Sequence, residues 1–152
     1  MKAKLLLALV SVALTTGTAV AQVKPEDAIK YRQSGYAFMA WNMGRIKQNV
    51  EGNFNKDEVV KAANAIQAIA NSGMGALYLP GTDKGKGWEE SRAKPEIWTD
   101  KEKMGKVATE FVKEANEMAK VAAGGDAGAV KAQLGKLGGT CKGCHDDFKV
   151  KK

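Results

Sequence analysis

The chain has 152 residues, with 24 Lys and Arg against 17 Asp and Glu, three Pro, two Cys and one His. That length makes one domain around one core. Two cysteines exclude a disulfide scaffold. A net charge of +7 with no nucleic-acid motif reads as a solvated surface, and no internal repeat or low-complexity tract is present.

The N-terminus opens with Lys2 and Lys4, runs through Leu5-Leu6-Leu7-Ala8-Leu9-Val10-Ser11-Val12-Ala13-Leu14 and reaches Ala19-Val20-Ala21. A charged start, a short apolar run and a small-x-small site mark a secretory signal. The apolar run falls short of the roughly 20 residues that span a bilayer. Residues 1–21 are therefore expected to be a cleaved signal peptide, and residues 22–152 a single domain of net charge +5, exported to the periplasm without a membrane anchor.

No later stretch alternates apolar and polar residues as a half-buried strand would, whereas the helical period fits four times. The first helix opens at Pro25-Glu26-Asp27, with a proline and acids suited to a first turn. Ile29, Tyr36, Met43 and Val50 recur along it, with Met39 and Ile46 interleaved, as a narrow bundle stripe. Arg32 sits on that stripe where an apolar residue belongs, a local break of the kind found at functional sites. Phe38 and Trp41 form a second apolar patch off the stripe. The second helix runs from about Asp57 to Ala70, with Val59, Ala63, Ile66, Ile69 and Ala70 inward.

A long connection, 71–99, holds the turn formers Pro80-Gly81-Thr82, Gly85, Gly87 and Pro95. Its length marks an ordered crossover, with Tyr78, Trp88 and Trp98 as expected anchors. Thr99-x-x-Glu102 reads as a capping box for a third long helix with Met104, Val107, Ala108, Phe111, Ala115, Met118 and Ala122 inward. Gly124-Gly125 ends it and Asp126 caps the last helix. The inward set there is Ala127, Val130, Leu134, Leu137, Cys141, Cys144 and Phe148. The fold expected is all-α: an antiparallel up-down four-helix bundle with a long loop between helices 2 and 3.

Cys141-Lys142-Gly143-Cys144-His145 is the c-type haem attachment pattern. On a helix the two cysteines share a face, so both thiols reach the vinyl groups of one porphyrin, and His145 follows as an iron ligand. A zinc site would need further Cys or His ligands, and a thioredoxin-like dithiol would need a βαβ setting; the sequence has neither. Gly135, Gly138 and Gly139 interrupt what should be a regular helix, as a flat ring close to the backbone would require. His145 is the only histidine, so a second histidine ligand is impossible; a methionine, another group, water or nothing fills the sixth iron position.

These residues, together with Lys24-Pro25-Glu26-Asp27-Ala28-Ile29-Lys30-Tyr31-Arg32-Gln33-Ser34, Leu79-Pro80-Gly81-Thr82 and Lys94-Pro95-Glu96-Ile97-Trp98-Thr99-Asp100, make the chain resemble cytochrome c′, the class II c-type cytochromes. The resemblance implies one covalent haem c on Cys141 and Cys144, with His145 on the iron. It implies haem contacts from Arg32 and Gln33, with the arginine fork on a buried propionate. It places Tyr36, and more loosely Tyr78, in the distal pocket. Tyr36 would be bulky and non-coordinating, leaving the iron five-coordinate and high-spin. In the alternative, a six-coordinate low-spin haem takes Met39 as its axial ligand. The family's basic residue four after the haem histidine is here Lys149, expected on the same helical face as His145.

The resemblance implies either electron transfer or binding of small gases such as nitric oxide and carbon monoxide. With only a tyrosine hydroxyl on the distal face, no catalytic role is expected. Nothing in the sequence names the redox partner. A homodimer through the first two helices, packing Phe38 and Trp41, is implied as well.

Overall fold

The computed structural model describes residues 23–151; the signal-peptide expectation, on residues 1–21, lies outside the described residues. Five α-helices follow in order: α1 (Pro25–Glu51), α2 (Lys56–Ala70), α3 (Glu96–Thr99), α4 (Lys101–Gly124) and α5 (Ala127–Phe148), with a 3-10 turn at Met74–Leu77. α3 is a single turn within the crossover. The other four make the antiparallel bundle: α1 packs on α2, α2 on α4 and α4 on α5, and α5 closes back on α1 along a thinner seam. Among the described residues no helix is long and apolar enough to cross a membrane.

α2, α4 and α5 each start where a side chain satisfies an orphan amide of the first turn, whereas α1 opens on Pro25 without a side-chain cap. Asn55 accepts from the Glu58 amide at 3.2 Å and Asp126 from the Ala129 amide at 2.6 Å. The capping box expected at Thr99 is not the one the chain uses. Thr99 closes α3, so the cap moves on to Asp100, which accepts from the Lys103 amide at 3.1 Å. Glu102 then pairs with Lys106 at 2.6 Å instead of reaching back. Between α4 and α5, Gly125 takes φ +82°, where its lack of a Cβ lets one residue reverse the chain.

The core gathers Met39 and Ile46 from α1, Val59, Ala62, Ala63 and Ile66 from α2, Ala115, Met118 and Ala122 from α4, and Val130 and Leu137 from α5. On α1 the buried line runs through Ile29, Arg32, Met39, Asn42 and Ile46, whereas the expected seven-residue series fades: Met43 and Val50 are half-buried and Tyr36 is exposed. The reason is geometric, since α1 faces α2 on one side and the open seam on the other.

In the bundle, the buried polar residues Asn42, Glu114 and Gln133 escaped the sequence pattern. Asn42 sits inside because its amide nitrogen donates to the Phe38 carbonyl at 2.9 Å. Gln133 of α5 donates to the Glu114 carboxylate of α4 at 2.6 Å and to its carbonyl at 3.2 Å. Such pairing makes burial of polar groups tolerable. No buried side-chain nitrogen or oxygen among the described residues lacks a partner.

Met118 is fully buried at the centre of this core. Met118→Ala should cost roughly 2–5 kcal/mol of stability, the range for cavity-forming truncations of large apolar side chains, read as a lowered denaturant midpoint with unchanged slope.

Candidate functional site

α5 runs unbroken through Cys141, Cys144 and His145 to Phe148, so the three chemical groups lie within little more than one turn. Both thiols are free and half-buried. The inward placement expected of them is only partly met, and Cys144 lies toward Tyr36 of α1. Burial pushes both thiols above their ordinary range. His145 moves the other way: desolvation, then the charges of Lys149 and Arg92, lower its proton affinity. The imidazole is thereby held neutral, the form that binds a metal. Lys103 of α4 pairs with Asp147 at 2.7 Å and fixes the end of α5 against the start of α4.

Across the seam stand Tyr36 of α1 and Tyr78 of the crossover, their hydroxyl oxygens 2.9 Å apart. Cys144 is an electrostatic neighbour of both phenols. Desolvation by the surrounding protein raises both phenols above their usual range, so both stay protonated. Tyr36 keeps 40% of its surface exposed because it points into the seam, not the core. Beside Tyr78 lies a cavity of about 310 Å³, lined mainly by Gly75, Ile97, Trp98, Met104, Gly105 and Ala108.

A side-chain carbon added at Gly105, Gly135, Gly138 or Gly139 would meet nothing within 4 Å. No protein neighbour demands glycine at these positions. Open space beside small and apolar walls, two protonated thiols on one helical face and a neutral imidazole form a donor set that fits a flat apolar macrocycle attached through sulfur.

Arg32 is only 5% exposed, and its fork is spent on the crossover. One terminal nitrogen donates to the Thr82 hydroxyl at 2.7 Å and the Leu77 carbonyl at 3.4 Å; the other donates to the Ser91 hydroxyl at 2.8 Å and to the Thr82 carbonyl. The arginine fork, expected from the resemblance on a buried propionate, meets acceptors supplied by the crossover itself. Gln33 behaves likewise, donating to the Glu89 carbonyl at 3.0 Å and accepting from the Trp88 amide at 2.8 Å. The crossover comes so close here that a side chain on Gly87 would lie 2.7 Å from the Lys30 amide nitrogen.

Thr82 and Ser91 are the site residues that the sequence pattern missed. The one available signal was Leu79-Pro80-Gly81-Thr82, which folds as a turn with Gly81 at φ +82° and the Thr82 amide donating to the Leu79 carbonyl at 3.1 Å.

Of the three expected aromatic anchors, Trp98 donates from its indole to the Tyr78 carbonyl at 2.9 Å, but the Trp88 ring stays exposed and holds on only through Ser34 at 2.8 Å and Lys30. Lys149 is the C-cap of α5, its amide donating to the His145 carbonyl at 3.2 Å. α5 ends at Phe148, and Lys149 continues in extended conformation, bridged to Ala93. The Lys94 amide donates to Phe148 at 2.9 Å and the Val150 amide to Arg92 at 2.8 Å, so backbone pairing with the crossover ends the helix. Lys149 acts on His145 as a nearby charge. Met39, the alternative iron ligand, is 6% exposed and packed in the core. Phe38 and Trp41 are 50% and 56% exposed and stack at 5.4 Å, with Arg45 over the Trp41 ring at 4.9 Å.

Residues 27–149 match the family model described as Cytochrome C′. Cytochrome c′ of Rhodocyclus tenuis is 60% identical over 129 residues, 84% of this chain and 97% of that one. Cytochrome c′ of Allochromatium vinosum is 51% identical over 143 residues, 94% and 93% of the two chains. A solved cytochrome c′ with an unusual ligand-controlled dimer dissociation superposes with a TM-score of 0.83 at 54% identity, covering 86% of this chain and all of that one.

Because the arginine fork holds the crossover, its charge alone cannot substitute. Arg32→Lys should leave the Thr82 and Ser91 acceptors under-satisfied and cost roughly 2–3 kcal/mol, measured by denaturant unfolding, with faster proteolytic nicking near residues 82–91.

Proposed function

The chain belongs to the cytochrome c′ family, whose members carry covalently attached haem c, and on that premise we propose an exported periplasmic haem protein that serves electron transfer, the binding of small gases, or both. Cys141 and Cys144 form the thioether links, and His145 holds the iron from one side. When bound, the haem supplies an iron that changes between ferric and ferrous states and offers a position for a small ligand. All else is the work of the chain.

The observation that carries this reading is the hydrogen-bonded Tyr36–Tyr78 pair, 2.9 Å between oxygens, standing across the seam from Cys144. Both phenols are held protonated, so neither is available as an anionic ligand, and Met39 is engaged in the core. This supports a five-coordinate, high-spin iron. Bulky, neutral phenols select for small uncharged ligands by size. They also supply no acid or base near pH 7, which favours binding and electron transfer over catalysis. In cytochrome c′ of Alcaligenes xylosoxidans, 31% identical to this chain, a ferrous variant has been solved with nitric oxide bound. Arg32 and Gln33 contribute by fastening the crossover that brings Tyr78 to the pocket. Lys149 and Arg92 contribute on the other side, keeping His145 neutral.

The Phe38–Trp41 stack, capped by Arg45, supports a symmetric dimer through α1 and α2, since an exposed apolar pair of this size gains by packing on its own copy.

Optical spectra of the ferric and ferrous protein, with and without carbon monoxide, test the haem reading. A high-spin spectrum that shifts with carbon monoxide is expected, unchanged in Met39→Leu; a low-spin spectrum that Met39→Leu converts to high-spin would reverse it. For the dimer, sedimentation should find two subunits in the parent protein and one in Trp41→Glu at the same concentration, with α-helical content kept.

A further inference from the structure

We propose that Tyr78 is a positioning residue of the distal side: its hydroxyl latches Tyr36, and the latch sets how readily a small gas reaches the face that Tyr36 covers. This rests on the gas-binding reading above.

The two partners differ in how firmly they are held. Tyr78 follows the 3-10 turn at Met74–Leu77, and Gly35 keeps that turn against α1, because a side-chain carbon at residue 35 would lie 2.8 Å from the Met74 sulfur. The Arg32 guanidinium sits 4.9 Å from the centre of the Tyr78 ring, and Arg32 is itself bonded to Leu77, Thr82 and Ser91. From the other side, Trp98 donates to the Tyr78 carbonyl at 2.9 Å, with the two rings 6.4 Å apart and tilted by 60°. Tyr78 is therefore clamped by α1 and by the turn that leads into α4.

Tyr36 has no such clamp. Its backbone is rigid in α1, but its ring faces the seam, stays 40% exposed, and makes one hydrogen bond, to Tyr78. Swinging the ring aside therefore breaks a single hydrogen bond. Partners 42 residues apart, one on the bundle and one on the crossover, make that interaction a link between the loop and the distal face. A neutral hydrogen bond of this kind is worth a factor of roughly two to ten in an equilibrium.

The test compares the holoprotein with Tyr36→Phe, Tyr78→Phe and the double variant. Each phenylalanine keeps the ring and removes only the hydroxyl, so the packing of Tyr78 on Arg32 and Trp98 survives. Carbon monoxide affinity of the reduced protein should rise roughly two- to tenfold in either single variant, and the double variant should gain no more than one of them, because both delete the same bond. Ultraviolet resonance Raman spectra of the gas-free ferric protein read the latch itself: the Tyr36 bands should change in Tyr78→Phe. An unchanged affinity in Tyr78→Phe, gains that add in the double variant, or unchanged Tyr36 bands would each overturn the latch while leaving gas binding standing. A parent protein that binds no carbon monoxide would instead sink the function proposed above, and the latch with it.

Discussion

A guanidinium buried in the side of a helical bundle holds this molecule's working parts together. A crossover of about thirty residues has too little apolar surface of its own to fold independently, and its ordering must be repaid by contacts elsewhere. Arg32 supplies them at one point, donating to Leu77, Thr82 and Ser91 while its flat face lies over Tyr78. A buried charge is costly unless its donors are met. Here the crossover carbonyls and hydroxyls satisfy the arginine, and the arginine orders the crossover.

The second constraint is the division of labour along the bundle. Met118, Ile46, Ile66 and Leu137 fill the core tightly, with the Gln133–Glu114 bond locking α5 to α4. Toward the α1–α5 seam, packing loosens: Tyr36 is exposed and both cysteines are half-buried, while beside Tyr78 a cavity opens between the crossover and α4. A bundle packed equally well all round would have no place for a prosthetic group. The C-terminal end is secured against this looseness by Lys103 on Asp147 and by backbone pairing of residues 92–94 with 148–150.

Electrostatics around the attachment motif follow from the same arrangement. Half-burial keeps the thiols protonated, while Lys149 and Arg92, brought in by the extended tail and the crossover, add to desolvation in keeping His145 neutral. Opposite them, the two phenols resist ionisation because burial and their mutual hydrogen bond both disfavour a phenolate at Tyr36. The thiols, the imidazole and the phenols are thus all uncharged, with Lys149 and Arg92 beside His145 and Arg32 over Tyr78 as the neighbouring cations.

Local signals in the sequence determined the four long helices, the glycine reversal before α5, the Asp126 cap and the spacing of Cys141, Cys144 and His145, because caps, glycines and helical periodicity act within a few residues of themselves. The family resemblance added Tyr36 and Tyr78 as distal residues, but their hydrogen bond could not be read from it. The tertiary structure alone decided which crossover groups Arg32 meets, why Asn42 and Gln133 are inside, and where the chain goes after α5 ends. Each of those answers depends on partners many residues away or on which side of a helix faces the seam, and a periodic pattern carries neither: it says that a face is buried, not against what.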